Sequence, residues 1–292
     1  MNYEYFALFL EKTDFPAEAR KTLTDALKAT EKELTPIIEF FCKGYDHTAT
    51  DPMVKSLAET SKISEFTLWM IILIVASEGV QHLYPSEKLF WDTFTDLRYK
   101  LLECYDLHGI WGNFVSYWYP IFYKGNIVKL GRMEYEVRKD ALKETYTIGN
   151  LTLGPGDTTI HLHIPTCPED PFDKAARMES YRMAYEHFCK DGKPLVCICS
   201  SWLLYNEYDD VFALGSNIAD FRKEFIMISN KSEAKFGNAW RVFGKEHKLP
   251  PEELPEKTSL QRAFKKHYLE NKPFGNGTGV IIFDGKKLLS QQ

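Results

Sequence analysis

Cysteine is scarce in this chain. Its six cysteines, at positions 42, 104, 167, 189, 197 and 199 of 292, are too few and too scattered for a disulfide framework. Cys197 and Cys199 sit in the apolar run PLVCIC and read as small buried hydrophobes. The sequence also lacks a Cys-x-x-Cys pair and an HExxH helix, so the compact signals of a zinc site are missing. Neither charge sign dominates. A net charge of −5 offers no general attraction for nucleic acid or an anionic membrane. The longest apolar run, FTLWMIILIVA from Phe66 to Ala76, falls well short of the roughly twenty residues of a spanning helix, so a buried helix and no membrane are expected. The start, MNYEYFALFLEKTD, has neither a basic stretch nor a small-residue cleavage site, so it is not expected to act as a signal peptide. The cytoplasm is the expected location. Repeats and low-complexity tracts are absent as well.

What is present divides in two by period. The first hundred residues read as successive helices. Pro16 opens one through ARKTLTDALKAT, and Pro36 starts another, IIEFFCKGY. Ser64 caps the apolar helix that Pro85 ends. Ser86 caps a single helix, EKLFWDTFTDLRYKLLECYDLH, which Gly109 stops. After an aromatic junction, β-like runs follow: IVKLGRMEYEV, ETYTIGNLTL and TTIHLHIP. A helix (DKAARMESYRMAYEHFCK), a buried strand (PLVCICS) and a helical stretch around SNIADFRKEF come next. FIMIS and AWRVFG read as two more strands, and TSLQRAFKKHYLEN as a late helix capped at Thr258 or Ser259. The order implies an α+β fold: a helical N-terminal domain over 1–112, then a mixed β-sheet domain with flanking helices over 113–292.

Alternation in TTIHLHIP puts Thr159, His161 and His163 on one face. Three readings stay open for these histidines. They hold zinc with Cys167 and Cys199, they pack or face solvent, or one is a base, since imidazole titrates near pH 6.5. His163, nearer the strand exit, is the better base, with His161 as its support. On GRMEYEV, Arg132, Glu134 and Glu136 share one face and Met133, Tyr135 and Val137 the other. Glu136 is either a carboxylate for an amine substrate or part of a solvated face.

Four stretches, GRMEYEV, HIP with ESYRMAYEHF, CSSWLL with SNIADFRKEF, and TSLQRAF, resemble bacterial acyltransferase domain-containing proteins, which join a helical domain to a GNAT (N-acyltransferase) fold. The resemblance covers about 110–292 and implies a GNAT-like second domain that uses acyl-CoA as co-substrate. The acceptor is an amine of a small molecule or peptide, and no metal takes part. It implies further that acyl-CoA lies between TTIHLHIP and LVCICS, its diphosphate over TCPEDPF and the following helix start. Ile164, Pro165, Thr166, Cys167, Asp173, Lys174 and Arg177 would then contact the cofactor. His163 and Glu136 would serve the amine, with Ser201 and Tyr205 as donors to the thioester or the leaving thiolate. The loop has no glycine and carries Glu169, Asp170 and Asp173, each of which costs on the order of 1 kcal/mol beside a phosphate in a wet site. These acids read better as ordinary helix-start chemistry, with Asp173 as N-cap at the positive end of the dipole. The competing expectation is a non-catalytic ligand- or partner-binding protein on the same fold.

Overall fold

The computed structural model describes residues 1–139, 142–149 and 151–291. The chain divides into two compact units, Met1–Lys129 and Leu130–Gln292. The aromatic stretch 113–129, grouped from sequence with the second domain, thus belongs to the first unit.

The first unit holds α1 (Tyr3–Lys12), α2 (Ala17–Cys42), α3 (His47–Ser61), α4 (Glu65–Ser77), α5 (Glu87–Phe94), α6 (Asp96–His108) and α7 (Pro120–Tyr123). Helix α4 is its centre. Leu68 to Ile74 are all at most 2% exposed, so this helix is apolar on every side because every side is packed. A 3-10 turn extends it to Leu83, making it long and apolar enough to cross a membrane by length and composition; much of that window is buried inside the protein. Pro36 does not start a helix. It lies inside α2, whose buried stripe of Leu23, Leu27, Leu34, Ile37 and Phe41 continues past it. Packing of that stripe outweighs the roughly 3 kcal/mol an internal proline costs. The helix expected from Ser86 breaks at Thr95, whose hydroxyl bonds back to the Trp91 carbonyl at 2.8 Å. Gly109, in the left-handed region at φ 68°, closes α6.

The second unit is built on β2, β5, β6, β8 and β7 of a mixed six-stranded sheet whose order is β1-β2-β5-β6-β8-β7. The strands of this sheet are β1 (Ile127–Leu130), β2 (Met133–Lys139), β5 (Thr158–His163), β6 (Leu195–Ser201), β7 (Ile226–Glu233) and β8 (Phe274–Phe283). Between β2 and β5, β3 (Tyr146–Ile148) and β4 (Leu151–Leu153) form a separate hairpin sheet, although their sequence reads like the other strands. The helices are α8 (Lys174–Phe188), α9 (Asn217–Arg222), α10 (Ala239–Phe243) and α11 (Ser259–Leu269). AWRVFG is therefore helical, as α10, and not a strand. Helix α8 makes the crossover that parallel β5 and β6 require. It lies on the Tyr135 face, where Ser180 bonds the Tyr135 hydroxyl at 3.0 Å.

Strand β8 was not foreseen. Its sequence FGNGTG reads as a turn, yet Gly275, Gly277 and Gly279 alternate along one face. A side chain at Gly277 would lie 2.5 Å from the Leu204 carbonyl carbon, and one at Gly279 2.8 Å from Phe225 Cβ. The glycines let the segment after β6 lie directly on the sheet. Beyond it an aromatic core gathers Tyr208, Phe212, Phe236, Phe264 and Phe274, with Trp202 and Ile164 packed against it.

Candidate active site

The sheet opens between β5 and β6. Only Ile160–Cys197 and His161–Ile198 pair across them. Strand β6 nevertheless continues through Cys199, Ser200 and Ser201, held on its other edge by Gly279, Thr278 and Gly277 of β8. Three residues of β6 therefore run on with no partner in β5. On the other side, the β2–β5 ladder ends at Glu134–His163. The next acceptor, the carbonyl of Pro165, takes a hydrogen bond from Arg132 Nη1 at 2.8 Å. Pro165 has no N–H of its own to offer β6, which helps to end β5 at this point.

Register decides which side chains meet at the opening. His163, Glu136, His161 and Ser200 fall on one face, because paired strand residues point the same way and faces alternate. Glu136 is 4% exposed and His163 partly exposed. Glu136 Oε2 lies 2.8 Å from His163 Nε2, and its Oε1 lies 2.9 Å from Arg138 Nε. Burial pushes the Glu136 carboxyl up, but the bonds from His163 and Arg138 outweigh it and hold the group below the usual range. An ionised Glu136 only accepts, so His163 donates to it from Nε2. His161 is 7% exposed and bonds Thr159 Oγ1 at 3.0 Å. Burial, with Arg138 and His163 nearby, brings its pKa down to about 4, so it is neutral near pH 7. The group that supports His163 is thus Glu136, and His161 has a different partner.

The loop Thr166–Phe172 follows the opening and leads into α8. Asp173 caps that helix, accepting from Ala176 N at 2.8 Å, and Lys174 is exposed in its first turn. Glu169 and Asp170 are exposed, and the Cys167 thiol donates to Asp170 at 3.1 Å. Arg241, seventy-odd residues further on, reaches Thr166 Oγ1 at 3.4 Å. Arg177 corrects the sequence reading. It is fully buried, with Nε and Nη2 on Glu224 at 3.0 and 2.7 Å and Nη1 on the carbonyls of Phe172 and Asn217. Its donors are committed inside the protein, so it ties the loop's end to α9 and does not reach a bound phosphate.

Residues 127–281, just over half of the chain, match the GNAT-like C-terminal domain family. The chain belongs to this family. The similar solved structures share its fold along nearly the whole length. An acyltransferase mutant in complex with octanoyl-CoA aligns with a TM-score of 0.71 at 17% identity, covering 97% of this chain and 88% of its own. An acyltransferase in complex with decanoyl-CoA and teicoplanin gives 0.69 at 18%, covering 94% and 86%. One with CoA and 10C-teicoplanin gives 0.69 at 18%, covering 97% and 88%. At such identity the likeness is one of fold. No curated protein matches the chain.

Within this GNAT-like domain the remaining candidates separate. Ser201 stands at the end of β6, where its Oγ accepts from Leu203 N at 3.2 Å and caps a 3-10 turn. A serine hydroxyl that accepts one bond can still donate another. Ser200, on the His163 face, shares a 2.8 Å bond with Thr278 of β8. Tyr205 is not brought to the opening. It is 1% exposed, and its hydroxyl meets Ser232 of β7 at 2.7 Å, on the far side of β8 from β6. The zinc grouping fails on geometry: Cys199 pairs with Gly279 on the face opposite His161. Among the described residues no set of three or more His, Cys, Asp or Glu could hold a metal ion. Ile164 leans on the aromatic core, Pro165 is buried and Thr166 is exposed.

Sequence reasoning missed Arg132, Arg241, Glu224 and Thr278. Only Arg132 carried a signal, its place on the face of Glu134 and Glu136.

Proposed function

We propose that this protein is an acyl-CoA-dependent acyltransferase that acylates an amine of a small molecule or peptide. The observation that carries the reading is the opening between β5 and β6 with the Glu136–His163 pair at its edge. The unpaired edge of Cys199–Ser201 offers backbone groups to an extended ligand, as a sheet edge does to an added strand. The start of α8 offers backbone N–H groups to an anion, with Lys174 beside it and Arg241 on the loop. Acyl-CoA supplies an activated thioester carbonyl. His163 takes a proton from the acceptor ammonium, and Glu136 stabilises the resulting imidazolium. The new C–N bond then replaces the C–S bond, and the thiolate leaves with the pair of electrons. Serine hydroxyls on β6 would donate to the oxyanion in this reading. Teicoplanin, present with the similar acyltransferases, supports a peptide or small-molecule acceptor. Six free cysteines suit the reducing cytoplasm.

A non-catalytic ligand-binding role is the second reading. It is favoured by the acidic, glycine-free loop and by a Tyr205 hydroxyl directed to β7.

Calorimetry with octanoyl-CoA, decanoyl-CoA and CoA, followed by thiol release with a panel of amines, separates the two. Catalysis predicts acyl-CoA binding together with amine-dependent release of CoA thiol. His163→Gln should lower that release about 10²–10⁴-fold with octanoyl-CoA affinity retained. Binding with no thiol release from any amine favours the second reading, and undiminished turnover in the His163 variant removes His163 from the chemistry.

A further inference from the structure

Arg132 touches both ends of the loop 166–172. Its Nη1 holds the carbonyl of Pro165 at 2.8 Å, where the β2–β5 backbone ladder has ended, so a side chain replaces the next rung. At the loop's far end, Phe172 returns to lie against the same guanidinium, 5.4 Å from the ring centroid. Arg177 stands by the same ring at 5.3 Å and holds the Phe172 carbonyl at 3.0 Å. Phe221 meets the ring edge-on at 5.0 Å. The six residues between Pro165 and Phe172 thus form a loop closed by two guanidinium groups and one phenyl ring. Arg132 is 8% exposed, and its buried Nε has no hydrogen-bond partner. A guanidinium is expensive to bury with a donor unspent, so its cost must be offset by what it holds in place.

We propose that Arg132 is a positioning residue for acyl-CoA binding. It ties the exit of β5 toward β2, away from β6, and so keeps the sheet open and the loop at the start of α8 in a fixed shape. This inference rests on the acyl-CoA reading above. Arg132 acts through Pro165 and Phe172 and takes no part in the proton transfer, which belongs to Glu136 and His163.

Two variants that keep the local charge test it. Arg132→Lys retains one donor for Pro165 but no planar face for Phe172, and Phe172→Leu removes the ring and leaves Arg132. Each should raise the Kd for octanoyl-CoA about tenfold, roughly the worth of one charged hydrogen bond or cation–π contact, with kcat at saturating octanoyl-CoA close to wild type. The double variant should lose less than the sum of the two single losses, since both remove the Arg132–Phe172 contact. The losses should persist at 0.5 M salt, unlike those of a plain charge effect. Arg132→Gln should weaken binding further and raise amide exchange across 166–172. A lowered melting temperature with unchanged Kd in the folded Lys and Leu variants would overturn the proposal, as would simple additivity of the two. If the wild-type protein binds no octanoyl-CoA, decanoyl-CoA or CoA, the functional reading itself falls. If it binds them and the variants do so equally well, only this inference does.

Discussion

Replacing Arg177 with methionine tests whether this arginine is a ligand group or an internal strut. Its guanidinium and the Glu224 carboxylate are 0% and 1% exposed, and Glu224 also accepts the Tyr181 hydroxyl at 2.7 Å. Methionine fills much of the volume but leaves a buried carboxylate with a single donor, and the carbonyls of Phe172 and Asn217 lose theirs. Breaking such a pair from one side costs about 3–5 kcal/mol. In a unit of this size that corresponds to a melting temperature lower by roughly 10 °C. The double replacement Arg177→Met with Glu224→Gln should recover part of the loss, since the stranded charge goes with it. Urea unfolding followed by hydrogen exchange of the backbone amides after Leu130 reports on the second unit. Salt should hardly matter, because no ions enter the pair. A variant of wild-type stability that had lost acyl-CoA binding would refute the reasoning and restore Arg177 to the cofactor.

Two further outcomes follow from buried geometry. Gly277→Ala should destabilise the second unit by about 2 kcal/mol or more, because the added carbon meets the Leu204 carbonyl carbon at 2.5 Å, whereas Gly237→Ala, open around its Cβ, should be nearly neutral; thermal melts of the two compare them directly. His161 sets a pH dependence. Its pKa is about 4 in the folded state against roughly 6.5 unfolded, so the unfolded chain binds more protons between these values. Its neutral form therefore costs no stability above pH 6.5, and stability falls as the pH drops from 6.5 toward 4, by on the order of 3 kcal/mol at the lower end. Urea titrations at pH 5 and 7 should show a smaller pH difference in His161→Gln than in wild type, and an equal difference would remove His161 as its source.

The helical part was legible because its signals are local. Ser64, Ser86 and Thr258 cap their helices with a side-chain oxygen, and Gly109 closes α6 from the left-handed region. The errors there came from reading a proline or a capping serine without the packing around it: the stripe through Pro36 is apolar enough to carry the helix on. In the sheet, β2, β5 and β6 announced themselves by alternation or by an unbroken apolar run. Strand β8 could not. Its glycines have no side chains from which to read a face, and they are there because Leu204 and Phe225 need the space. That reason exists only in three dimensions. AWRVF, five residues long, is too short for its period to distinguish helix from strand.

The candidate site follows the same division between local and long-range information. Alternation along HLHIP put His163 on a named face, and alternation along GRMEYEV put Glu136 on one. That the two faces coincide depends on the register in which Glu134 opposes His163, and a shift of one residue would have turned Glu136 away. Asp173 was readable as a cap because its partner lies three residues on. Arg177 was misread because its partner Glu224 lies forty-seven residues on. In isolation an arginine in the first turn of a helix beside a loop looks like a phosphate ligand. Inside this fold the same residue neutralises a buried carboxylate and fastens the loop from behind. Cationic reach toward the loop comes instead from Arg241 on α10, a segment that reads from sequence as a strand. The charge balance of the loop therefore depends on groups that its own sequence does not contain. For this reason the acids at 169, 170 and 173 do not by themselves argue against an anionic ligand.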